Sequence, residues 1–181
     1  MRSGVGDWVA RARRVLSPNC DSRPGGGDIS LLVLHSISLP RGSYGGDAIE
    51  RLFTNRLDPA AHPSFAQLAG LRVSAHFLVR RDGGLIQFVA LGQRAWHAGA
   101  SRWRGRERCN DFSIGIELEG VDDGRFGAAQ YKTLLQLLKQ LQSVLPLRDI
   151  AAHSDVAPGR KTDPGTHIDW ARLLAGLARA S

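Results

Sequence analysis

The sequence predicts one α/β domain built on a central mixed β-sheet that is flanked by helices. Residues 29–35 form a short and nearly continuous apolar run, which is typical of a strand buried on both faces. Residues 113–119 alternate apolar and polar side chains with the period of a strand. Residues 128–145 place leucines three and four positions apart, as in a helix that covers a core.

The size and charge of the chain limit the kind of protein it encodes. Its 181 residues are 43% hydrophobic and 23% charged, which fits a single globular domain over residues 1–181. Lys and Arg total 24 against 17 Asp and Glu, and the net charge of +7 favours an anionic partner. Charge alone does not choose among nucleic acid, an acidic surface and a small molecule with several carboxylates.

The cysteine content and the N-terminus indicate the compartment. Two cysteines, Cys20 and Cys109, are too few for a disulfide framework, so we expect reduced thiols. Asp7 interrupts the segment where a secretory signal would need an apolar run. No stretch approaches the length of a membrane span. These observations predict a cytoplasmic protein without a membrane partner.

The first part of the chain leads into a buried strand. Residues 1–28 contain prolines, glycines and a cluster of arginines, and they predict an irregular N-terminal arm packed on or near the domain. The arginines are typical of a solvated basic arm, or alternatively of an anion-binding one. The strand at 29–35 ends in His35. Such an end is where α/β sheets place ligand-binding groups, although a hydrogen-bonded core histidine fits the position equally well.

The middle of the chain predicts a short helix and a hairpin. Asp47 is expected to cap a helix that ends near Asn55. Residues 73–80 and 85–89 are typical of two strands joined by a tight turn. Trp96 offers either a flat face for a sugar ring or a core side chain. His76 is at least as well explained by a buried structural role as by a ligand role. For His97, beside Trp96, a structural role is the better explanation.

The alternating strand at 113–119 carries two carboxylates on one face. Glu117 lies nearer the middle of the run than Glu119 and is the better candidate for a general base. The alternative is a face that is simply solvated, as in many antiparallel sheets. After the helix at 128–145, Asp169 is expected to cap a last helix whose buried face holds four apolar residues: Trp170, Leu173, Leu174 and Leu177.

A loop rich in Pro and Gly, residues 153–165, holds a histidine, a lysine and a carboxylate. His153 and Asp163 are suitable zinc ligands, and a catalytic zinc usually takes three protein ligands and one water. His35 is the candidate for the third ligand. Lys161 would then be placed to stabilise an oxyanion, although the spacing alone is also compatible with a surface lysine in a basic loop.

Several of these stretches together resemble those of the AmpD-type N-acetylmuramoyl-L-alanine amidases, which belong to the zinc amidase superfamily of T7-type lysozyme and the peptidoglycan recognition proteins. The resemblance covers nearly the whole chain. It rests on LLVLHSISLP with the following GGDAIERLF, and on DPAAHPSFAQL, LRVSAHFLVRRDG, RAWHAG, GRERCNDFSIGIELEG and HSDVAPGRKTDPG. It implies the peptidoglycan-recognition-protein fold and one Zn²⁺ per chain.

The resemblance also implies roles for individual residues. It assigns the zinc ligands to His35, His153 and Asp163, the proton transfer to Glu117 and the transition-state stabilisation to Lys161. It further suggests that Arg72 and Arg108 meet carboxylates of a peptide and that Trp96 lies by a sugar. The family pattern has asparagine where this chain has Ser36, which puts a substrate contact at that position in doubt but leaves the metal site intact.

The substrate implied by the resemblance is an anhydromuropeptide, cut between the lactyl group of 1,6-anhydro-N-acetylmuramic acid and L-alanine during peptidoglycan recycling. Such fragments carry several carboxylates, in agreement with the positive charge. A link to β-lactamase induction follows in bacteria that have that circuit. We expect a monomer without a nucleic-acid partner. The competing hypotheses are a lytic amidase that acts on intact peptidoglycan, a peptidoglycan-binding module without zinc, and a nucleic-acid-binding protein.

Overall fold

The computed structural model describes residues 7–26 and 28–178. Within these ranges, ten strands and four α-helices make up the fold. The strands are β1 (Arg13–Arg14), β2 (Cys20–Ser22), β3 (Leu31–Ile37), β4 (Phe77–Val79), β5 (Leu85–Gln87), β6 (Gln93–Ala95), β7 (Arg102–Trp103), β8 (Arg106–Glu107), β9 (Ser113–Glu119) and β10 (Asp149–Ala152). The helices are α1 (Ala48–Phe53), α2 (Ala128–Val144), α3 (His153–Val156) and α4 (Trp170–Ala178).

Six strands form the main sheet, in the order β1-β5-β4-β9-β3-β10. Strand β3 pairs in parallel with both β9 and β10, and β9 pairs in parallel with β4. The β4–β5 hairpin supplies the antiparallel pairing. The predicted mixed sheet is therefore confirmed, and the hairpin lies where the sequence placed it. Two further antiparallel pairs, β2–β6 and β7–β8, stand apart from this sheet.

Strand β3 lies inside the sheet and is covered on both faces. Its first four side chains, Leu31 to Leu34, are at most 1% exposed, as expected for a continuous apolar run. The strand begins two residues later than predicted and continues through Ile37. It continues because the partner strand β9 is long enough to pair with Ser36 and Ile37, which periodicity within β3 does not reveal.

The two faces of β9 differ in chemistry, and both are buried. The apolar face, Ile114, Ile116 and Leu118, packs in the cluster that contains the leucines of α2. The other face carries Ser113, Gly115, Glu117 and Glu119, and all seven residues of the strand are buried. The alternative of a solvated face is therefore wrong for this strand. Glu119 is compensated there by an ion pair of 2.9 Å with Arg80.

The helices follow their predicted positions with two corrections. The carboxylate of Asp169 accepts a hydrogen bond of 2.9 Å from the backbone N–H of Arg172, which confirms it as the cap of α4. In the same helix Leu174 is 59% exposed, so it does not belong to the buried face. At α1, Asp47 makes no capping hydrogen bond with its side chain within the described part of the chain. Its carboxylate pairs with Arg51 at 2.8 Å instead.

Two short strands attach the N-terminal segment to the domain. Strand β1 pairs in parallel with β5 of the main sheet, and β2 pairs with β6. The guanidinium of Arg11 donates to the carbonyl of Thr133 in α2 at 2.9 Å, and Arg13 pairs with Glu50 at 2.6 Å. Arg11 and Arg13 therefore bind the domain. Of the predicted segment 1–28, residues 1–6 and 27 lie outside the described residues.

Buried His76 connects β9 to its surroundings and acts as a structural residue. Its Nδ1 accepts the backbone N–H of Gly115 at 3.1 Å, and its Nε2 lies 3.1 Å from the carbonyl oxygen of Gln93 and 3.0 Å from Nη2 of Arg23. Burial, followed by the nearby charge of Arg23, lowers the pKa of His76 to about 3. The folded protein therefore keeps this imidazole neutral.

No helix in residues 7–26 or 28–178 is long and apolar enough to cross a membrane.

A pair of leucine substitutions tests the assignment of the core. Leu138 of α2 is completely buried in the main cluster, whereas Leu174 of α4 is 59% exposed. We expect Leu138→Ala to lower the free energy of unfolding by about 2–5 kcal/mol, since it removes buried methyl groups and leaves a cavity. Leu174→Ala serves as the matched control and should stay within about 0.5 kcal/mol of wild type. Urea denaturation measures both, and equal losses would contradict the assignment.

The neutral state of His76 predicts a pH dependence of stability. Its pKa of about 3 in the folded protein lies below the unfolded value near 6.5, so the unfolded chain takes up the proton first as the pH falls. His76 therefore costs stability increasingly from pH 6.5 down to about 3. His76→Asn keeps an acceptor near the place of Nδ1 but has no group that titrates in this range. Between pH 7.5 and 5.5 we expect its free energy of unfolding to fall by about 1.4 kcal/mol less than that of wild type. Urea denaturation of both proteins with a chelator present measures this, and identical pH slopes would refute it.

Candidate active site

Three adjacent parallel strands deliver side chains to one place on the sheet. His35 of β3 lies directly opposite Glu117 of β9 in the strand register. On the other side of β3, Leu34 pairs with Ala152, the last residue of β10, and His153 follows immediately. Because neighbouring residues of parallel strands point to the same face, His35 and Glu117 lie side by side. That face is opposite the one covered by α2.

The side chains of His35, His153 and Asp163 converge. The Nδ1 atoms of the two histidines are 2.9 Å apart. One carboxylate oxygen of Asp163 lies 3.1 Å from Nδ1 of His153 and 3.3 Å from Nδ1 of His35. The two histidines are 1% and 3% exposed. Sequence reasoning predicted these three residues as a set, and the fold brings them together although 118 positions separate the two histidines.

His153 occupies a more regular position than predicted. It does not lie in an irregular loop: it begins the single-turn helix α3 directly after β10. The backbone N–H of Ala152 donates to the carboxylate of Asp155 at 2.8 Å, which stabilises this turn. The other ring nitrogen of His153, Nε2, lies 3.3 Å from the carbonyl oxygen of Ala98. A carbonyl can only accept, so this contact directs the Nδ1 lone pair of His153 towards Asp163.

The segment that carries Lys161 and Asp163 is held against the turn that follows β9. The hydroxyl of Thr162, between these two residues, donates to the carboxylate of Asp122 at 2.6 Å. The carbonyl of Asp163 accepts the backbone N–H of Ser154 at 3.0 Å. At Gly165, with φ +89°, a Cβ atom would lie 1.7 Å from the carbonyl oxygen of Asp122, so only glycine fits there. These contacts fix the position of the Asp163 carboxylate relative to the sheet.

The donor set fits a zinc ion. Zinc binds imidazole nitrogen and carboxylate oxygen, and tetrahedral bonds of about 2.0–2.1 Å place the ligand atoms about 3.3 Å apart. Burial lowers the pKa of His35 to about 4, so its ring is in the neutral form that binds metals. Burial opposes the ionisation of Asp163, but hydrogen bonds with the two histidines outweigh it and hold the pKa of this carboxyl below its usual range.

Glu117 is a buried carboxylate with one unsatisfied oxygen. It is 9% exposed, and its Oε2 has no hydrogen-bond partner among the described residues. Burial, with the neighbouring charge of Asp163, raises the pKa of Glu117 well above its usual value, while Lys161 works in the opposite direction. Buried acceptors are nearly always satisfied. An unpaired one beside His35, His153 and Asp163, the candidate metal-binding set, is typical of a group that exchanges protons with a ligand.

A cleft of about 270 Å³ opens over these residues. Ser36, Trp96 and Lys161 line it together with Glu117 and the three converging side chains. Arg72 and Arg108, the other two predicted substrate contacts, lie outside this lining. Arg108 is 71% exposed and borders a separate cavity with Arg102 and Arg160. Single-sequence reasoning had no means to assign these exposed arginines to one cavity or the other.

One neighbour of the metal-binding set was underestimated from the sequence. Nδ1 of His97 lies 3.0 Å from Nε2 of His35. The sequence favoured a structural role for His97 and gave no sign of this contact, because the two residues are 62 positions apart and belong to different elements. Burial, followed by the nearby His35 and His76, lowers the pKa of His97 well below its usual value.

Comparison with known proteins identifies the fold and the family. The family model described as N-acetylmuramoyl-L-alanine amidase matches residues 25–166. The 1,6-anhydro-N-acetylmuramyl-L-alanine amidase AmpD of Escherichia coli K12 is 54% identical over 168 residues, which are 92% of each chain. An endolysin amidase from Clostridium intestinale shares the fold with a TM-score of 0.67 at 17% identity, covering 96% of this chain and 99% of the other.

Solved structures of related amidases agree with this result. The crystal structure of a Se-Met derivative of AmpD superposes with a TM-score of 0.93 at 52% identity, covering 96% of this chain and 98% of that chain. Escherichia coli AmiD, solved as a complex with the substrate anhydro-N-acetylmuramic acid-L-Ala-D-γ-Glu-L-Lys, has a TM-score of 0.61 at 30% identity and covers 86% and 60%. The chain belongs to the N-acetylmuramoyl-L-alanine amidase family.

Proposed function

We propose that this chain hydrolyses the amide bond between the lactyl group of 1,6-anhydro-N-acetylmuramic acid and L-alanine, with one zinc ion held by His35, His153 and Asp163. The observation that carries this proposal is the convergence of these three donors beside the unpaired carboxylate of Glu117. The Escherichia coli relative, which matches over 92% of both chains, is named as an amidase of this bond. Escherichia coli AmiD binds a substrate of the same class in its complex.

Glu117 is the proposed proton carrier. A bound zinc ion supplies Lewis-acid chemistry: it lowers the pKa of a water to about 7 and polarises a carbonyl. Glu117 takes the proton of the attacking water on its free Oε2 and delivers it to the nitrogen of the departing L-alanine. Its raised pKa makes Glu117 a stronger base towards the proton of the water than an exposed carboxylate would be, because burial favours the protonated form.

Lys161 is the proposed stabiliser of the negative charge that develops on the carbonyl oxygen. Its ammonium group lines the cleft and lies two positions before Asp163, on the segment that Thr162 anchors. It is also near enough to Glu117 to act on the pKa of that carboxyl. A fixed positive charge at the developing oxyanion lowers the barrier, because it needs no reorganisation during the reaction.

Substrate recognition is proposed for two groups of residues. Ser36 and Trp96 line the cleft, and the indole of Trp96 offers a flat surface for the anhydro sugar. Arg72 and Arg108 are exposed beyond the cleft, where they would meet carboxylates of the peptide stem. The net charge of +7 supports an anionic muropeptide. We further propose a cytoplasmic, monomeric enzyme of peptidoglycan recycling, which would influence β-lactamase induction where that circuit exists.

Substitutions separate the metal ligands from the proton carrier. We expect His35→Ala, His153→Ala and Asp163→Ala to lose zinc and activity together, because each removes one of three ligands. Glu117→Gln should keep stoichiometric zinc and lose about 10²–10⁴-fold in kcat, because the amide cannot carry the proton. Metal analysis and turnover of a defined anhydromuropeptide measure both effects. Near-normal turnover of Glu117→Gln would refute the role given to Glu117.

A substrate comparison separates the proposed enzyme from a lytic amidase. Soluble anhydromuropeptide and intact sacculi are digested in parallel, with and without a zinc chelator, and the products are identified by mass spectrometry. We expect cleavage of the soluble fragment that stops on chelation and resumes when zinc is returned. Efficient release of stem peptides from sacculi without preference for the anhydro sugar would instead establish the lytic function.

A further inference from the structure

A chain of hydrogen bonds runs from His35 into the start of β9. Nε2 of His35 lies 3.0 Å from Nδ1 of His97, and Nε2 of His97 lies 3.1 Å from the hydroxyl oxygen of Ser113. The hydroxyl of Ser113 donates to the carbonyl oxygen of Cys109 at 2.6 Å. Each group in the chain is within hydrogen-bonding distance of the next.

The last acceptor determines the direction of every proton in this chain. The carbonyl of Cys109 can only accept, so the Ser113 hydroxyl uses its proton there and accepts from Nε2–H of His97. A neutral imidazole carries one N–H, so Nδ1 of His97 is an acceptor and takes the proton of His35 Nε2. The Nδ1 atom of His35 is therefore left with a lone pair that faces His153 and Asp163.

We propose that His97 is a positioning residue for the metal: it holds His35 in the tautomer and the ring orientation that present Nδ1 to the ion. The inference rests on the proposed zinc amidase function and adds a residue to it. His97 is not itself a ligand of that ion, because it contacts Nε2 of His35, whereas the other two ligands contact Nδ1.

The fold builds a slot for the His97 ring. The ring packs on the backbone of β9 at Gly115, where an added Cβ would lie only 2.4 Å from Cγ of His97. The side chain of Asn110 accepts the backbone N–H groups of His97 and Ala98 at 3.2 and 2.8 Å. The ring meets that of His35 edge-on, with centroids 5.0 Å apart at 88°. His97 is thus fixed from three sides.

This role explains the small residues on the polar face of β9. Ser113, Gly115 and Glu117 follow one another on that face at alternate positions. The first links His97 to the carbonyl of Cys109, the second makes room for His97, and the third is the proposed proton carrier. One strand face thereby serves both the metal ligand and the group that would act beside it.

Two substitutions at the same position test the proposal. His97→Leu fills the slot but removes the acceptor, whereas His97→Asn keeps an acceptor near the place of Nδ1. The zinc dissociation constant of each full-length protein is measured by chelator competition. We expect His97→Leu to bind zinc about 10–100-fold more weakly than wild type, as for other lost partners of metal-binding histidines, and His97→Asn to restore most of the affinity. Equal affinities in all three proteins, or equal losses in both variants, would overturn the proposal.

A second measurement covers the case in which His97→Leu does not fold. Ser113→Ala leaves His97 in place but removes the hydroxyl that orients its protons, and we expect weaker zinc binding in this variant as well. The tautomer of His35 is determined by nitrogen NMR of the zinc-free chain, with Nε2–H expected in wild type. A mixture of His35 tautomers in wild type would overturn the proposal. A wild-type protein without zinc affinity would instead refute the proposed function.

Discussion

The in-register pairing of β3 with β9 on one side and β10 on the other is the constraint on which the site depends. It sets His35 opposite Glu117 and brings His153 to the end of the next strand. A register shift of one residue would turn Glu117 to the apolar face and replace it with Ile116 or Leu118. The apolar face holds this register, because Ile114, Ile116 and Leu118 must all meet the leucines of α2. The packing of the core thus determines the position of the polar residues on the opposite face.

The two carboxylates of β9 have opposite environments although they lie two positions apart. Glu119 is paired with Arg80 and accepts the backbone N–H groups of Gly45 and Arg81. Glu117 has a buried oxygen that accepts no hydrogen bond from any group in the described ranges. Burying an ionised carboxylate without a partner is costly, so Glu117 keeps its proton more readily, which is a raised pKa. Satisfied Glu119 contributes to the fold, whereas Glu117 remains available for chemistry.

The sequence predicted what its local pattern determines. The apolar run of β3, the alternation of β9 and the leucine spacing of α2 each gave the right element, because each pattern repeats over several residues or turns. The strands β1 and β2 were missed, because two or three residues carry no period and become strands only by pairing with β5 and β6. The exposure of Leu174 was missed because helical spacing does not show where the covering partner ends.

Some residues of the candidate site could be predicted from the sequence, whereas the roles of others depend on contacts that the sequence does not show. His35, His153 and Asp163 share a chemistry that few other residues offer, so their types and the family resemblance selected them. His97 has the same chemistry, but its part depends on a contact with His35 and on the missing side chain of Gly115. Arg72 and Arg108 lie on exposed segments, where neither burial nor register limits their direction. The proposed chemistry is therefore tied mainly to residues of the sheet, while the proposed substrate contacts of Arg72 and Arg108 lie on exposed segments, which can vary without disturbing the sheet.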